Sequence, residues 1–96
     1  MSLAPDEQIE VFRIVQEGLA NVRKHAGARR AEVSISERDG QRLVAVRDDG
    51  DGFDETGDGA GQGLKNIRAR SVAIDGAFDV RSRPGFGTEL VVTLRA

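Results

Sequence analysis

The stretch AEVSISERDGQRLVAVRDDG, Ala31 to Gly50, decides the fold. In its first part, Ala31 to Glu37, Val33 and Ile35 alternate with polar residues, and in Arg42 to Asp48 Val44 and Val46 do the same, which is the period-two pattern of half-buried strands. Between them stands Asp39-Gly40, a pair that accepts positive φ at both central positions of a type I′ turn, so the two strands are predicted to form an antiparallel hairpin. Val44, Val46 and Asp48 share one parity. A carboxylate therefore stands at the strand end, on the face of two core valines, where partial burial requires a donor.

Upstream, Pro5-Asp6-Glu7-Gln8 reads as a helix start, with Asp6 as the cap and Glu7 favourable in the first turn. Phe12, Val15, Leu19, Val22 and Ala26 then recur at three- and four-residue spacing and predict the core-facing stripe, with Gly27 ending the helix. Glu17, Asn21, Lys24 and His25 fall on the side away from that stripe, and Ile14 lies nearer the polar side. Downstream, Leu64, Ile67, Ser71, Val72 and Ile74 predict a second helix ending at Asp75-Gly76. Phe78 and Val80 mark a strand over Ala77 to Arg83, and Leu90, Val92 and Leu94 mark another over Thr88 to Arg95, joined by the turn Pro84-Gly85-Phe86-Gly87. The order α-β-β-loop-α-β-β, with hairpin connections, predicts an α+β fold. It is a two-layer α/β sandwich whose mixed, mostly antiparallel sheet is covered on one face by helices.

Composition narrows the function. The chain has 96 residues, 14 basic and 16 acidic for a net charge of −2, and no cysteine. This is the size of one small domain, read as residues 4–96, with Met1-Ser2-Leu3 set aside as easily a cloning remnant as native sequence. The charge balance argues against a nucleic-acid surface, and the short apolar runs against a membrane span, so neither nucleic acid nor direct membrane contact is expected. Without cysteine there is no disulfide, thiol nucleophile or thiolate metal site. Of the 12 glycines, six fall between Gly50 and Gly63, among Asp48, Asp49, Asp51, Asp54 and Asp58. A long aperiodic loop in so small a domain is either functional or disordered.

Several familiar motifs fail on spacing. After Gly57 and Gly59 the third glycine of a dinucleotide fingerprint is replaced by Gln62, and no Gly-Lys pair makes a phosphate loop. Phe53 occupies a ligand position of the calcium-loop pattern, no Gly-x-Ser-x-Gly elbow exists, and one histidine without cysteine makes a zinc site a poor fit.

Four pieces remain: Glu17-x-x-x-Asn21-x-x-Lys24-His25, Asp48-x-Gly50-x-Gly52, Gly61-Gln62-Gly63-Leu64 and Gly85-Phe86-Gly87-Thr88. Taken singly, each reads as a solvated helix face, a strand stop or a turn. In this order and spacing they resemble the ATP-binding catalytic domain of two-component sensor histidine kinases, in the superfamily shared with gyrase, the heat-shock chaperone ATPase and MutL. The wording of Ile14-Val15-Gln16-Glu17, Lys24-His25-Ala26, Arg47-Asp48-Asp49-Gly50 and Arg81-Ser82-Arg83-Pro84-Gly85 is most similar to the subfamily of nitrate/nitrite sensors and the membrane-fluidity thermosensor. The resemblance runs from about Ile9 to Leu94 and implies a Bergerat-type ATPase fold.

It also implies ATP and Mg²⁺ as cofactors. Asn21 is then the Mg²⁺ ligand, an amide oxygen suited to a hard cation that keeps waters and bridges phosphates. Glu17 holds a metal-bound water or orients the attacking group, Lys24 is a point charge for phosphate, and His25 is assigned to phosphate contact. Asp48 accepts from the exocyclic amine of adenine, Gly50 and Gly52 admit the purine, and Thr88 supports the base through its hydroxyl or a water. Gly61, Gly63 and Leu64 open a helix whose N–H groups face phosphate, and the stretch from Phe53 to Gly61 is the ATP lid.

The implied partners are a dimerisation domain carrying the phosphoacceptor histidine and a response regulator that receives the phosphoryl group on aspartate. The chain alone is expected to bind ATP with little autophosphorylation, as a cytoplasmic domain of a parent that can be membrane-anchored. The alternatives are an anti-sigma-factor type of serine kinase from the same superfamily, or a non-catalytic nucleotide-dependent interaction module.

Overall fold

The computed structural model describes residues 3–24, 30–50, 61–83, 85 and 87–95. Helix α1 spans Pro5–Lys24, β1 Ala31–Arg38, β2 Gln41–Asp48, α2 Gly61–Ala73, β3 Ala77–Arg83 and β4 Gly87–Arg95. Pro5 takes the first helical position, where its missing N–H costs nothing. The reach back at the helix start is made by Glu7, whose Oε1 accepts the Ala4 N–H at 2.9 Å, whereas Asp6, the expected cap, lies inside the helix. The hairpin forms as predicted, with Asp39 at φ 53° and Gly40 at φ 77°.

The sheet order is β1-β2-β4-β3. All three pairings are antiparallel, so among the described residues the sheet is antiparallel rather than mixed. Val46 stands between Val33 and Leu90, and Val44 between Ile35 and Val92, in rows that run across the strands. The buried core is Val44, Val46, Leu90, Val92 and Leu94 from the sheet, Leu64 and Ile67 from α2, and Val11 and Ile14 from α1; Leu3 packs against it. Ser71, fully buried, donates its hydroxyl to the Ile67 carbonyl at 2.7 Å. After α2, the Gly76 N–H closes on the Ser71 carbonyl at 2.7 Å while Asp75 takes φ 56°.

The face of α1 differs from the sequence expectation. Phe12 is 63 % and Leu19 39 % exposed, Val15 and Val22 are only partly buried, and Val11 and Ile14 carry the core contact. The apolar arc of this helix is broad, so periodicity alone permits two orientations. Gly18 selects one: it is buried, and a Cβ there would stand 3.1 Å from Val46 Cγ2. Without a side chain at 18 the helix backbone seats directly over β2, roughly a quarter-turn from the predicted stripe. One consequence is that β1 lies outside the helical cover, leaving Val33 40 % and Ile35 49 % exposed.

The end of the sheet where α1 begins is closed by charge. Arg42 donates to both carboxylate oxygens of Glu7, at 2.7 and 2.8 Å, and to the Arg95 carbonyl. The Arg42 guanidinium, joined by the Ala4 N–H, holds the Glu7 carboxyl down at about 2 against its ordinary 4.5.

Candidate functional site

The opposite end of the sheet gathers the last turn of α1, the end of β2, the start of α2 and the start of β4. Asn21 sits in that last turn, partly buried. Its Oδ1 lies so close to the α2 backbone that a Cβ on Gly63 would stand 2.5 Å away, so any side chain at 63 would make the amide shift from the helix start. There the backbone N–H groups of the first turn have no intrahelical acceptor, and that turn contains no acidic residue. An amide oxygen and an anion-favouring helix terminus thus adjoin. One turn before Asn21, Glu17 accepts from Asn66 Nδ2 at 3.1 Å and ties α1 to α2, as does the Glu10–Arg70 pair at 3.5 Å. Glu17 and Asn21 therefore line the α1–α2 seam and do not form a freely solvated face.

Asp48 ends β2 half-buried, with Oδ1 accepting the Gly50 N–H at 2.8 Å. This local turn sets the carboxylate plane, and the second oxygen is directed by it. Asp49 anchors the start of β1 by accepting the Arg30 N–H at 2.9 Å. Thr88 is the register partner of both Asp48 and Ser82. Alternation places Asp48, Thr88 and Ser82 on the core face, as a polar row at the edge of the valine and leucine layer. Gly87 has φ 81°, and a Cβ there would overlap the Asp48 carbonyl oxygen. The close approach of β4 to the end of β2 depends on that glycine.

The structure thus brings together Asn21 and Gly63, and separately Asp48, Gly50 and Thr88, at one end of the sheet. Gly61 begins α2, and the Leu64 side chain is part of the core. Lys24 ends α1. His25, Gly52 and the expected lid from Phe53 lie outside the described residues, as do Ala26 and Gly27. Sequence reading missed Ser82, although its parity with Phe78 and Val80 places it on the core face, and it missed Asn66. Among the described residues no group of three His, Cys, Asp or Glu side chains forms a metal cage. A single amide ligand fits an ion such as Mg²⁺, which takes most of its oxygens from water and phosphate. No described helix is long and apolar enough to cross a membrane.

The fold has counterparts among known proteins. A signal transduction histidine-protein kinase/phosphatase, DegS of Brevibacillus brevis, is 36 % identical over 88 residues, 91 % of this chain and 23 % of its own length. The sensor protein VraS of Staphylococcus aureus is 34 % identical over 84 residues, 85 % of this chain and 24 % of its own. The chain spans about a quarter of the length of these relatives. The histidine kinase domain of the Erythrobacter litoralis EL346 blue-light activated histidine kinase superposes with a TM-score of 0.74 at 26 % identity, over 88 % of this chain and 45 % of that one. The Acinetobacter baumannii histidine kinase AdeS shares the fold, with a TM-score of 0.78 at 14 % identity over 93 % of this chain and 47 % of that one. Residues 6–96 match the family described as histidine kinase-, DNA gyrase B-, and HSP90-like ATPase, and the chain belongs to that family.

Proposed function

We propose that this chain is the ATP·Mg²⁺-binding catalytic domain of a sensor histidine kinase, which presents the γ-phosphoryl group to a histidine on a separate dimerisation domain. From there the group passes to an aspartate of a response regulator. The observation that carries the reading is the placement of Asn21 against Gly63 at the start of α2, at the same sheet end as the Asp48–Thr88 pair. One element pair suits metal and phosphate, and the other suits a base.

In this reading Asn21 would hold Mg²⁺ by its amide oxygen, and the cation would offset charge on the triphosphate. Glu17, held by Asn66, would hold a water of the cation or orient the attacking group. The first-turn N–H groups of α2, from Gly61 to Leu64, receive phosphate oxygens, with Lys24 and His25 assigned to the same anion. Asp48 takes the adenine amino group, Gly50 and Gly52 leave room for the purine, and Thr88 completes the base end. The chain then works in the cytoplasm, where ATP is. The relatives' names, as histidine kinase and sensor proteins, support the family of reactions.

The chain has neither Trp nor Tyr, so calorimetry is the direct measurement. ATP with Mg²⁺ is expected to bind the wild type. Asp48→Asn turns a donor toward the adenine amine and weakens ATP by about 100-fold, while the melting temperature is retained. Unchanged affinity in that variant would refute the base assignment. Phosphohistidine should form only when the separate dimerisation domain is supplied.

A further inference from the structure

The polar row at the site contains one residue with no role in the reading above. Ser82 is 6 % exposed, and its hydroxyl lies 3.1 Å from the Gly87 carbonyl and 2.9 Å from Thr88 Oγ1. A hydroxyl has one proton, and a carbonyl only accepts. With the Ser82 proton on Gly87 O, Ser82 meets Thr88 with lone pairs, so Thr88 must donate to Ser82. The single Thr88 proton is then committed inward, and Thr88 Oγ1 faces the site as an acceptor. Its register partner Asp48 also presents acceptor oxygens, one of them already accepting the Gly50 N–H.

We propose that Ser82 is a positioning residue that fixes the hydrogen-bond polarity of Thr88, and so sharpens selection of a 6-amino purine over a 6-oxo purine. The proposal rests on the reading of Asp48 as the adenine acceptor. Two acceptors side by side match the N–H groups of an exocyclic amine. They repel a carbonyl at the same place, where a buried acceptor would be left facing another. Remove the Ser82 oxygen, and the Thr88 hydroxyl rotates and can donate to a 6-oxo group. Discrimination then rests on Asp48 alone.

The test is calorimetric titration with ATP and with inosine triphosphate, which carries a carbonyl at C6 and a proton on N1 without adding a 2-amino group. Ser82→Ala is expected to lower the ratio of ATP to inosine triphosphate affinity about fivefold, on the scale of one hydrogen bond. Ser82→Cys keeps the volume and offers a weaker acceptor, so it lowers the ratio in the same direction and serves if the alanine variant does not fold. In a Thr88→Val background, the Ser82 substitutions should no longer change the ratio, because the hydroxyl they act on is gone. A purely structural role for Ser82 would weaken both nucleotides equally; that result, or a ratio change that persists with Val at 88, overturns the proposal. The Asp48→Asn variant separates the two levels. If it leaves the ratio intact, the base reading itself fails; if it collapses the ratio while the Ser82 variants do not, only the role of Ser82 fails.

Discussion

The two ends of the sheet solve opposite problems with similar residues. Where α1 begins, Glu7, Arg42 and the Arg95 carbonyl satisfy one another, and Glu7 also holds the helix start through Ala4. Where α1 ends, Asn21 lies against Gly63, Asp48 Oδ1 accepts the Gly50 N–H and Thr88 meets Ser82, with no ion pair on any of the three among the described residues. Volume alone does not mark a site. The first end opens a space of about 750 Å³ lined by Glu7, Arg42, Val72, Ile74, Asp75, Gly76 and Arg95, yet its principal charges are already engaged with each other. Polar groups oriented by the fold and left with capacity to bind are a better mark of a site than volume.

Three substitutions can break or sharpen that contrast. The largest effect is expected from Gly87→Ala, which forces a side chain into positive φ and against the Asp48 carbonyl. A loss of about 3 kcal/mol of folding stability, read by denaturant titration, follows from the strain and the overlap together. Retained stability would mean that the nucleotide end is less tightly assembled than described. Next comes Gly63→Ala, where helix propensity improves but the new methyl displaces the Asn21 amide. Its melting temperature should hold or rise while Mg²⁺-dependent ATP affinity drops about tenfold. Equal affinity would dissociate Asn21 from metal binding.

The smallest effect belongs to Glu7→Gln, far from the site. Nucleotide affinity should be unchanged. In the wild type the Glu7 carboxyl is more acidic folded than unfolded, so its contribution is complete above pH 4.5 and is lost as pH falls toward about 2. The glutamine variant should therefore be less stable near neutrality and lose less between those values in acid-denaturation profiles. A matching acid limb in both proteins would count against the ion pair as the lock of that end.

How much of this was readable beforehand depends on how local each determinant is. The hairpin was legible because Asp39-Gly40 dictates its turn and strand parity does the rest. Asp48 was legible for the same reason, being the third member of the Val44, Val46 series. The orientation of α1 was not, since Phe12, Leu19, Val11 and Ile14 are equally apolar and only the contact between Gly18 and Val46 chooses among them. Ser82 was hidden differently: its importance arises from the β3–β4 register, which sets it opposite Thr88. The antiparallel character of the whole sheet likewise depends on β4 entering between β2 and β3, which no short window of sequence specifies.

That last arrangement has a consequence for how the domain comes into being. The strand latest in the chain, Gly87–Arg95, lies in the interior of the sheet and brings Leu90, Val92 and Leu94 to the core. During synthesis β1 and β2 can pair early, but the helices have only half a layer to rest on until β4 has left the ribosome. Closure of the core therefore waits on β4. Deleting a few residues of β4 would harm the domain far more than the same number taken from most surface turns.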